Sequence, residues 1–359
     1  MLPMADIKAK YIHILLHNET KFNLPLIRNI NTNCEIFNRD DHVFITGGKK
    51  VYEAAKEFSN VIYDENGKNL INKYAPQGDW IIIHGHLSVI EGIRIKNKYL
   101  KKIILRFWGG SIGYKYKEGA SFKNVAKKVL NKLYIDKVSN FAGFGIANKV
   151  DTVTIRKTLP DMPMFDMTYG TGKRQEILEL VKDEKPYNGV NVLVGHNAWN
   201  HDNHIEILKK LAKYGNEIKI YVPLSYGNEN YRMKVEEYIK DNNPGNITIV
   251  KDFMPYYDYV KFLNKMDIAI FDGNMSYALG NISVLLLLKK KLFINRNGVI
   301  KEAFDEDSIP HKCVEEIDNM ELADFIKGIE YPENMGDSML PYSRERVMRA
   351  WKAFFKEFN

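Results

Sequence analysis

Cysteine is scarce in this chain, and long apolar runs are missing. The 359 residues include two cysteines, Cys34 and Cys313, which stand far apart and lack the paired spacing of a metal site. Two isolated thiols exclude a disulfide-stapled scaffold and fit a reducing compartment. The densest apolar stretch, Ile282 to Leu288, ends in three lysines and is far shorter than the roughly 18 residues of a membrane-spanning helix.

A secretory signal is also missing, because no basic segment followed by an apolar core opens the chain. We therefore expect a cytoplasmic protein. No recognised nucleic-acid-binding motif accompanies the basic charge, so nucleic acid is not expected as a partner. The hydrophobic content of 45% is that of a folded soluble protein, and the length allows two domains.

Charge is spread unevenly along the chain. Residues 1–187 carry 30 Lys and Arg against 20 Asp and Glu, a balance of +10, whereas residues 188–359 carry 22 against 25, a balance of −3. A basic half suggests an anionic ligand or surface, and a solvated lysine-rich surface explains the count equally well.

Residues 115–137 concentrate the basic charge. Within them Ser121–Lys137 is predicted to be a helix whose apolar residues Phe122, Val125, Val129, Leu130 and Leu133 fall near one face. A basic amphipathic helix can dock on anionic lipid headgroups, although a packed helix with a solvated lysine face is at least as consistent. The predicted membrane contacts are Lys123, Lys127, Lys128 and Lys132.

Short apolar runs alternate with helix-like stretches in both halves. Continuous β-branched runs, such as the one ending at Ile83, are typical of strands covered on both faces, and the alternation predicts α/β domains with mostly parallel sheets. By the same criterion Val150–Ile155 is predicted to be a strand. Because Pro and Gly cluster before residue 189, we predict domains at 1–187 and 188–340 and a C-terminal helix in 341–359.

Two strand-to-helix turns of the second half are rich in Gly, Asn and His: one follows Val194 and the other follows Phe271. Turns of this kind aim backbone N–H groups and helix N-termini at one crevice, which suits a diphosphate. The alternatives are ordinary capped helices, half-buried packing aromatics or, for the histidines, a metal site, which no carboxylate or thiol at a ligand spacing supports. The predicted donor-site residues are Gly195, His196, Asn197, Asn203, His204, Tyr221, Met254, Tyr256, Asp272, Gly280, Asn281 and Ser283.

Histidines end two strands of the first half. His84 and His86 follow one strand, and His17 follows another. Imidazole exchanges its proton near neutral pH, so a histidine at this edge can serve as a general base, although a hydrogen-bonded structural histidine is equally consistent. Arg106, Trp108 and Gly109 end a third strand and are predicted to contact an acceptor.

Several short motifs recur in the order and approximate spacing of a known family over most of residues 10–310. They are His84-Gly85, Phe107-Trp-Gly109, Leu193-Val-Gly195 with His204-Ile205, Ile218–Pro223, Asp258-Tyr259, Gly280 and Asn295-Arg296. The ordered set resembles the TDP-N-acetylfucosamine:lipid II N-acetylfucosaminyltransferases, which are peripheral membrane glycosyltransferases of enterobacterial common antigen synthesis. Departures are His196-Asn-Ala-Trp-Asn200, where the family is rich in Asn, Ser and Gly, and His86, where the family has Gln.

The resemblance implies a GT-B fold, with two Rossmann-like domains facing across a cleft and a last helix that crosses back to the first domain. In that fold the C-terminal domain binds the nucleotide sugar and the N-terminal domain binds the acceptor. It further implies a bacterial enzyme at the inner face of the cytoplasmic membrane. Its donor would be a nucleoside-diphosphate sugar, dTDP-linked, and its acceptor a polyprenyl-diphosphate-linked saccharide.

We therefore predict a metal-independent glycosyltransferase that needs no cofactor and moves an acetamido-dideoxyhexose. His84 is the predicted base, with His86 and His17 as alternates. Other readings stay open. One is a transferase with a different donor or a soluble or lipooligosaccharide acceptor, another is a nucleotide-sugar epimerase of the same architecture, and the last is a non-catalytic sugar- or nucleotide-binding protein.

Overall fold

The fold consists of two compact α/β units, seen in a computed structural model. It describes residues 8–33, 36–109, 112–113, 122–168, 173–185, 187–242, 245–333, 335, 338–341 and 343–358, with the backbone alone at 122–124. One unit takes residues 1–172 and 342–359, and the other takes residues 173–341. Each is built on its own parallel sheet, so the predicted pair of Rossmann-like domains is confirmed.

Among its described residues, the first unit contains a seven-stranded sheet and six α-helices before the unit boundary. Its strands are β1 (Ala9–Leu15), β2 (His42–Thr46), β3 (Val61–Tyr63), β4 (Gly78–His84), β5 (Ile103–Arg106), β6 (Gly143–Ile146) and β7 (Met164–Asp166). Its helices are α1 (Thr20–Thr32), α2 (Lys49–Ala55), α3 (Leu70–Tyr74), α4 (Val89–Arg94), α5 (Phe122–Val138) and α6 (Lys149–Arg156). The strand order is β3-β2-β1-β4-β5-β6-β7, and all pairs are parallel.

The strand predicted at Val150–Ile155 is wrong, because these residues form most of α6. The Asn148 side chain caps this helix by accepting a hydrogen bond from the Asp151 backbone N–H at 3.0 Å. Asp151 in turn accepts from the backbone N–H of Ala147 at 2.9 Å. These local polar bonds outweigh the β-preference of the branched side chains.

The second unit contains a six-stranded sheet in the order β10-β9-β8-β11-β12-β13, with the numbers following the chain. The strands are β8 (Val190–Val194), β9 (Ile218–Pro223), β10 (Ile247–Val250), β11 (Ile268–Phe271), β12 (Lys291–Ile294) and β13 (Lys312–Cys313). The helices are α7 (Arg174–Val181), α8 (His204–Leu211), α9 (Glu229–Asn242), α10 (Tyr256–Asn264), α11 (Leu279–Leu287), α12 (Val299–Glu306) and α13 (Leu322–Ile326).

The unit boundary falls before Lys173 and not near residue 187. Helix α7 and the residues after it pack on α10 of the second unit. The Tyr257 hydroxyl donates to the Glu176 carboxylate at 2.9 Å, and the Lys261 ammonium lies 2.9 Å from the Glu184 carboxylate. The prolines and glycines that suggested a later junction are therefore divided between the units: Pro160 and Pro163 belong to the first, and Gly189 belongs to the second.

The last helix, α14 (Arg344–Glu357), belongs to the first unit, as the resemblance implied. Trp351 is fully buried, and its indole N–H donates to the Thr168 carbonyl at 3.0 Å. The Arg346 guanidinium lies 3.2 Å from the Asp166 carboxylate at the end of β7. The apolar face of α14 thus completes one side of the first sheet. Within the described residues, none of the helices is both long and apolar enough to cross a lipid bilayer.

Candidate functional site

The two Gly/Asn/His turns leave neighbouring strands of the second sheet. Strands β8 and β11 pair in parallel, with Val194 opposite Ile270. The first turn (residues 195–203) therefore leaves the same sheet edge, beside the second turn (residues 272–278). At such an edge, backbone N–H groups and helix N-termini of adjacent crossovers point in the same direction.

A hydrogen bond joins the two turns. The side-chain amide of Asn203 donates to the Asp272 carboxylate at 3.0 Å, and the amide of Asn295 donates to its other oxygen at 2.8 Å. Asn203 adopts the left-handed conformation, with φ at 49°, directly before α8. Burial raises the pKa of the Asp272 carboxyl above its usual value, although the two amides act in the opposite direction. Asp272 therefore fixes the first turn, a strand end and the second turn to one another.

Gly195 and His204 form the floor of the first turn. Gly195 has φ at +69°, and a Cβ there would lie 2.4 Å from His204 Nε2. The His204 backbone N–H donates to the Tyr231 hydroxyl at 3.1 Å, and burial lowers the pKa of its fully buried imidazole to about 4. The prediction that His204 binds the donor directly is wrong on this geometry, since a ligand cannot reach the ring. Both residues instead shape the turn.

A polar chain runs through His196. Its Nδ1 lies 3.1 Å from Asp202 Oδ1, and its Nε2 lies 2.6 Å from Asn197 Nδ2. These partners assign the proton to Nδ1, which donates to the buried carboxylate, while Nε2 accepts from the amide. The ring of Tyr277 from the second turn packs 5.4 Å from the His196 ring, so the turns also meet through aromatic contact.

One candidate cation cluster lies in the first turn. Among the described residues, His196, His201 and Asp202 offer ligand atoms that all lie within 4.8 Å of one another. Asp202 supplies the carboxylate of this cluster from the 3-10 turn Asn200–Asp202. The spacing of the residues in the sequence did not indicate it as a ligand. Two imidazoles and a carboxylate are ligands that a zinc-like cation accepts.

The start of α11 borders an open space. Gly280 is exposed, and a Cβ there would meet no heavy atom within 4 Å. The Asn281 amide donates to the Tyr259 hydroxyl at 3.0 Å, and the Ser283 hydroxyl donates to the Gly280 carbonyl at 3.1 Å. The backbone N–H groups of Asn281 and Ile282 donate to the Ala278 carbonyl at 2.9 Å. The N–H groups of Leu279 and Gly280 precede them in the first turn, and this end of the helix can offer them to an anion.

Exposed aromatic side chains surround this sheet edge. Trp199, Tyr226 and Phe253 follow β8, β9 and β10, and their exposed fractions are 43%, 54% and 82%. Backbone hydrogen bonds between Ala198 and the turn containing Gly227 hold the first two loops together. Tyr226 was not identified from the sequence, because a lone aromatic in a loop carries no periodic signal.

Three further predicted donor residues occupy different environments. Met254 is half-buried, and Tyr256 is exposed with the Lys173 ammonium 4.3 Å from its ring centroid. Tyr221 lies inside β9, and its ring stacks 5.9 Å from that of Tyr187. Tyr221 thus packs on a face of the sheet and before its carboxyl edge, and its contact with the donor stays a prediction.

Histidines and an indole gather at the carboxyl edge of the first sheet. His17 Nε2 accepts a hydrogen bond from the His86 backbone N–H at 2.9 Å, and its ring lies 5.7 Å from Trp108. Gly85, with φ at +116°, permits this contact, because a Cβ there would lie 2.4 Å from the His17 ring. The hydrogen bond leaves the proton of His17 on Nδ1, and the His86 side chain is exposed.

His84 lies inside the sheet. It is fully buried, and its Nε2 lies 2.9 Å from His13 Nδ1, whose other nitrogen lies 2.9 Å from His42 Nδ1. Burial lowers the pKa of His42 and of His84 to about 3, with the Arg106 charge adding to the shift at His84. The prediction that His84 abstracts a proton from an acceptor is therefore wrong for this geometry, because the ring has no exposed surface.

Arg106 is also internal. Its Nε donates to the Met167 carbonyl at 2.6 Å, its Nη1 donates to the Phe107 carbonyl, and its guanidinium lies 3.9 Å from Asp151. The predicted acceptor contact is wrong, because the guanidinium crosslinks strand ends. Burial raises the pKa of Asp151 to about 6 despite the arginine. Of the predicted acceptor residues, Trp108 and Gly109 remain at the surface, both half-buried.

Comparison with known proteins assigns the family. The model of the 4-alpha-L-fucosyltransferase glycosyl transferase group 56 family matches residues 65–329. The chain belongs to this family. This group 56 protein is therefore a glycosyltransferase, and the coarser part of the predicted activity is confirmed.

Solved structures share its fold at low sequence identity. A glycosyltransferase from Rickettsia africae is 15% identical over 98% of each chain, with a TM-score of 0.59. Anabaena Alr3699/HepE, solved with UDP and glucose, is 10% identical over 97% of this chain and 98% of its own, also with a TM-score of 0.59. A UDP-N-acetylglucosamine 2-epimerase described as putative, from Listeria monocytogenes, is 14% identical over 97% of each chain, with a TM-score of 0.53. The predicted GT-B fold is confirmed.

In this group 56 glycosyltransferase the predicted residues thus separate into those at the surface of the two sheet edges and those buried beneath it. The surfaces of the two sheet edges include His196, Asp272, Gly280, Asn281 and Ser283 in the second unit and His17, His86 and Trp108 in the first. Of the predicted membrane contacts, Lys127, Lys128 and Lys132 are exposed on α5, while the Lys123 side chain lies outside the described residues. Asn197 is buried, and its side-chain amide lies 2.6 Å from His196 Nε2.

Proposed function

We propose that this enzyme transfers an acetamido-dideoxyhexose from a nucleoside diphosphate, dTDP, to a polyprenyl-diphosphate-linked saccharide. The second unit binds the donor and the first binds the acceptor. The observation that carries the proposal is the hydrogen bond between Asn203 and Asp272. It holds two Gly/Asn turns side by side at one sheet edge, the arrangement that a diphosphate between two helix starts requires.

The donor diphosphate is proposed to lie at the start of α11. Gly280 is open and exposed there, so that an anion can approach the backbone closely. The hydroxyl of Ser283 and the amide of Asn281 lie in the same first turn. As the bond from the sugar to the diphosphate breaks, negative charge grows on the leaving oxygen. The first backbone N–H groups of α11 and the second N–H of the Asn281 amide stabilise it, and the Ser283 hydroxyl joins them by rotating away from the Gly280 carbonyl.

The nucleobase is proposed to stack on the exposed aromatic residues beside the first turn. Trp199 and Tyr226 present large ring surfaces to solvent at 43% and 54% exposure. Their two loops are joined by backbone hydrogen bonds through Ala198, which limits the entropy lost when a base binds. Stacking on aromatic rings tolerates any base, so the preference for thymine depends on the surrounding polar groups.

His86 is proposed as the general base, with His17 as its neighbouring hydrogen-bond donor. The exposed imidazole of His86 takes the proton of the acceptor hydroxyl, whose oxygen bonds to the anomeric carbon as the diphosphate leaves. His17 Nε2 is occupied by the His86 backbone N–H, so its Nδ1–H can donate to the acceptor. Direct displacement by one base inverts the anomeric configuration, and we propose inversion.

Transfer is proposed to need no metal ion. In the candidate cation cluster, His196 and Asp202 already satisfy one another at 3.1 Å, and the second imidazole nitrogen accepts from Asn197. Enzyme treated with a chelator should retain its rate. If activity disappears and returns with a divalent cation, the cluster of His196, His201 and Asp202 is its first candidate site.

The test is a defined reaction with purified protein. The dTDP-linked acetamido-dideoxyhexose is incubated with a polyprenyl-diphosphate saccharide, and mass spectrometry follows the lipid product; the UDP-linked sugar is the matched control donor. The proposal expects a product one sugar longer and release of dTDP only when acceptor is present. Isomerised donor without acceptor would instead identify an epimerase, and extension of soluble acceptors alone would refute the lipid-linked substrate.

A further inference from the structure

The strand order of the first sheet reverses direction between β1 and β4. From β1 the order runs to β2 and β3 on one side and to β4 and β5 on the other. Leu26 of α1 packs in the same hydrophobic cluster as Leu15, whereas Val89 of α4 packs in the same cluster as Ile14, which points to the other face of β1. The helices after β1 and β4 therefore cover opposite faces, and their loops enclose a crevice at the carboxyl edge. Open α/β sheets bind ligands at such a crevice.

Two aromatic side chains border this crevice. Phe22 lies in the first turn of α1, and Trp108 follows β5. Their ring centroids are 4.9 Å apart, with an angle of 51° between the ring planes. Phe22 is 40% exposed, and Trp108 is half-buried. The pair, which we call the aromatic platform, therefore presents two large ring surfaces to solvent at a point where a ligand is expected.

Helix α1 fixes Phe22 in this position. Phe22 precedes the buried residues Leu26 and Ile30 by four and eight positions, so all three lie on one side of the helix. Phe22 remains exposed, since the first turn of α1 lies at the end of the sheet where β1 stops. The fully buried Asn23 holds this turn, because its side-chain amide donates to the His17 carbonyl at 2.8 Å. The platform is therefore preformed, and little entropy is lost when a ligand binds to it.

The platform adjoins the histidines to which the chemistry is assigned. The His17 ring lies 5.7 Å from the Trp108 ring, and His17 Nε2 accepts from the His86 backbone N–H at 2.9 Å. The exposed side chain of His86 therefore belongs to the same edge, one contact away from the platform. Aromatic surfaces beside a few polar groups are the usual lining of a site for a small organic ligand.

We propose that Phe22 and Trp108 bind the terminal pyranose ring of the acceptor by stacking. A pyranose carries its hydroxyls around the rim and C–H groups on its faces, and these weakly positive C–H groups are attracted to the negative face of an aromatic ring. The hydroxyls at the rim stay accessible, so stacking holds the ring while one hydroxyl reaches His86. A sugar fits better than a lipid chain, because the reacting hydroxyl has to lie beside the base. The inference rests on the proposed function for its assignment of the bound sugar to the acceptor.

The first experiment measures saccharide binding in the absence of donor. Methyl N-acetyl-β-glucosaminide is mixed with the full chain, and saturation-transfer NMR records which of its protons lie against the protein. The matched ligand is the open-chain N-acetylglucosaminitol, which keeps the acetamido and hydroxyl groups but has no pyranose face. The ring C–H protons should respond in the wild type and lose most of their response in Phe22→Ala and in Trp108→Ala. No response in the wild type, or an equal response of the alditol, would overturn the proposal.

The second experiment measures the acceptor kinetics of the same variants. Each alanine variant should raise the acceptor KM roughly tenfold, with the donor KM and the kcat at saturating acceptor unchanged. Trp108→Phe keeps a ring and should stay within about threefold of the wild type, whereas Trp108→Leu keeps apolar bulk without a ring and should resemble Trp108→Ala. Met233→Ala is the matched control, because Met233 on α9 is 52% exposed in the second unit. Melting curves verify each fold, and Phe22→Leu replaces any Trp108 variant that is unstable.

The two experiments separate this inference from the proposed function. Saccharide binding that needs both rings, without transfer from any donor, would retain the aromatic platform and reject the proposed chemistry. Transfer with an unchanged acceptor KM in both alanine variants would retain the chemistry and reject the platform. Equal acceptor KM values in Trp108→Leu and Trp108→Phe would show that apolar bulk is sufficient, and stacking would be refuted.

Discussion

The side-chain amide of Asn203 donates to the Asp272 carboxylate at 3.0 Å and so ties the loop after β8 to the loop after β11. Asp272 also accepts from Asn295 at 2.8 Å, which makes one carboxylate the common anchor of three segments. This half-buried carboxylate accepts hydrogen bonds from two amides and thereby sets the positions of the three segments. We infer that Asp272 acts by maintaining the geometry of the sheet edge and not by contacting the ligand.

Replacing Asp272 by Ala should raise the donor KM by about tenfold, because both amides lose the carboxylate. They keep only the backbone carbonyl of residue 272, which lies 3.4 Å from the Asn203 amide and 3.1 Å from the Asn295 amide, so the turns are held less firmly. The free energy of unfolding should fall by about 1–3 kcal/mol, the usual effect of leaving buried polar groups unpaired. Steady-state kinetics and urea unfolding measure the two quantities. Asp318→Ala is the control, because it removes an exposed ion pair with Lys210 and should change neither. An unchanged donor KM in Asp272→Ala would contradict the anchoring role.

Gly195→Ala should lower the free energy of unfolding by about 2–4 kcal/mol, since a left-handed backbone costs about 1–2 kcal/mol for any residue with a Cβ and the added methyl also displaces a buried ring. Its Cβ would lie 2.4 Å from His204 Nε2. In a His204→Ala background the same change should cost only the backbone contribution. Urea unfolding of the four proteins gives the coupling energy, and strictly additive effects would refute the packing argument.

Stability should fall as the pH drops below about 6.5. The pKa values of His42 and His84 are lowered to about 3 in the folded protein, and that of His13 is also lowered. Their contribution to the free energy of unfolding is complete above pH 6.5, the pKa of histidine in the unfolded chain. It is lost between pH 6.5 and pH 3, because the unfolded chain binds protons that the folded chain excludes. Each such histidine gives a slope of about 1.4 kcal/mol per pH unit.

The measurement is the free energy of unfolding against pH for the wild type and for His42→Asn, which removes one imidazole from the chain. Asp151, with its pKa raised to about 6, acts in the opposite direction in both proteins, so the difference between them isolates the histidine. The slope of the variant should be smaller by about 1.4 kcal/mol per pH unit. Identical slopes would show that the imidazole is not held neutral.

His86→Gln should lower kcat by about 100-fold or more, as expected for loss of a general base, while dTDP binding is unchanged. His84→Gln should mainly reduce stability, since its ring is fully buried against His13. Single-turnover transfer and calorimetric titration separate these effects. A His86 variant with wild-type turnover would remove this residue from the chemistry, and a stable His84 variant without turnover would restore the role predicted from the sequence.

Much of the architecture follows from pattern alone, because continuous β-branched runs alternating with amphipathic segments permit few folds. The pattern gave the wrong structure for Val150–Ile155, since a capping residue at Asn148 decides that these residues form a helix. It also gave the wrong environment for His84 and Arg106. Both end strands, as predicted, but the register that pairs them fixes their side chains on a buried face, and sequence does not reveal which face α14 covers.

The donor turns were found because Gly and Asn mark positions that other residues disfavour. Which of these glycines lies beside a ligand could not be predicted from the sequence. Gly195 makes room for the ring of His204, whereas Gly280 borders open space. Likewise, the shared face of Val125, Val129 and Leu133 was predictable from their spacing. Its outward direction was not, because it depends on how Tyr134 packs against α4.

The most direct test of the donor site is calorimetric titration of dTDP into Gly280→Ala. The added methyl meets no atom within 4 Å and stands in a helix, so the free energy of unfolding should stay constant or rise by up to about 1 kcal/mol. Because the methyl occupies the space assigned to the diphosphate, the Kd should rise at least tenfold, whereas Gly328→Ala, equally open and remote from the turns, should bind as the wild type does. Wild-type affinity in Gly280→Ala would contradict the assignment of the diphosphate to the start of α11.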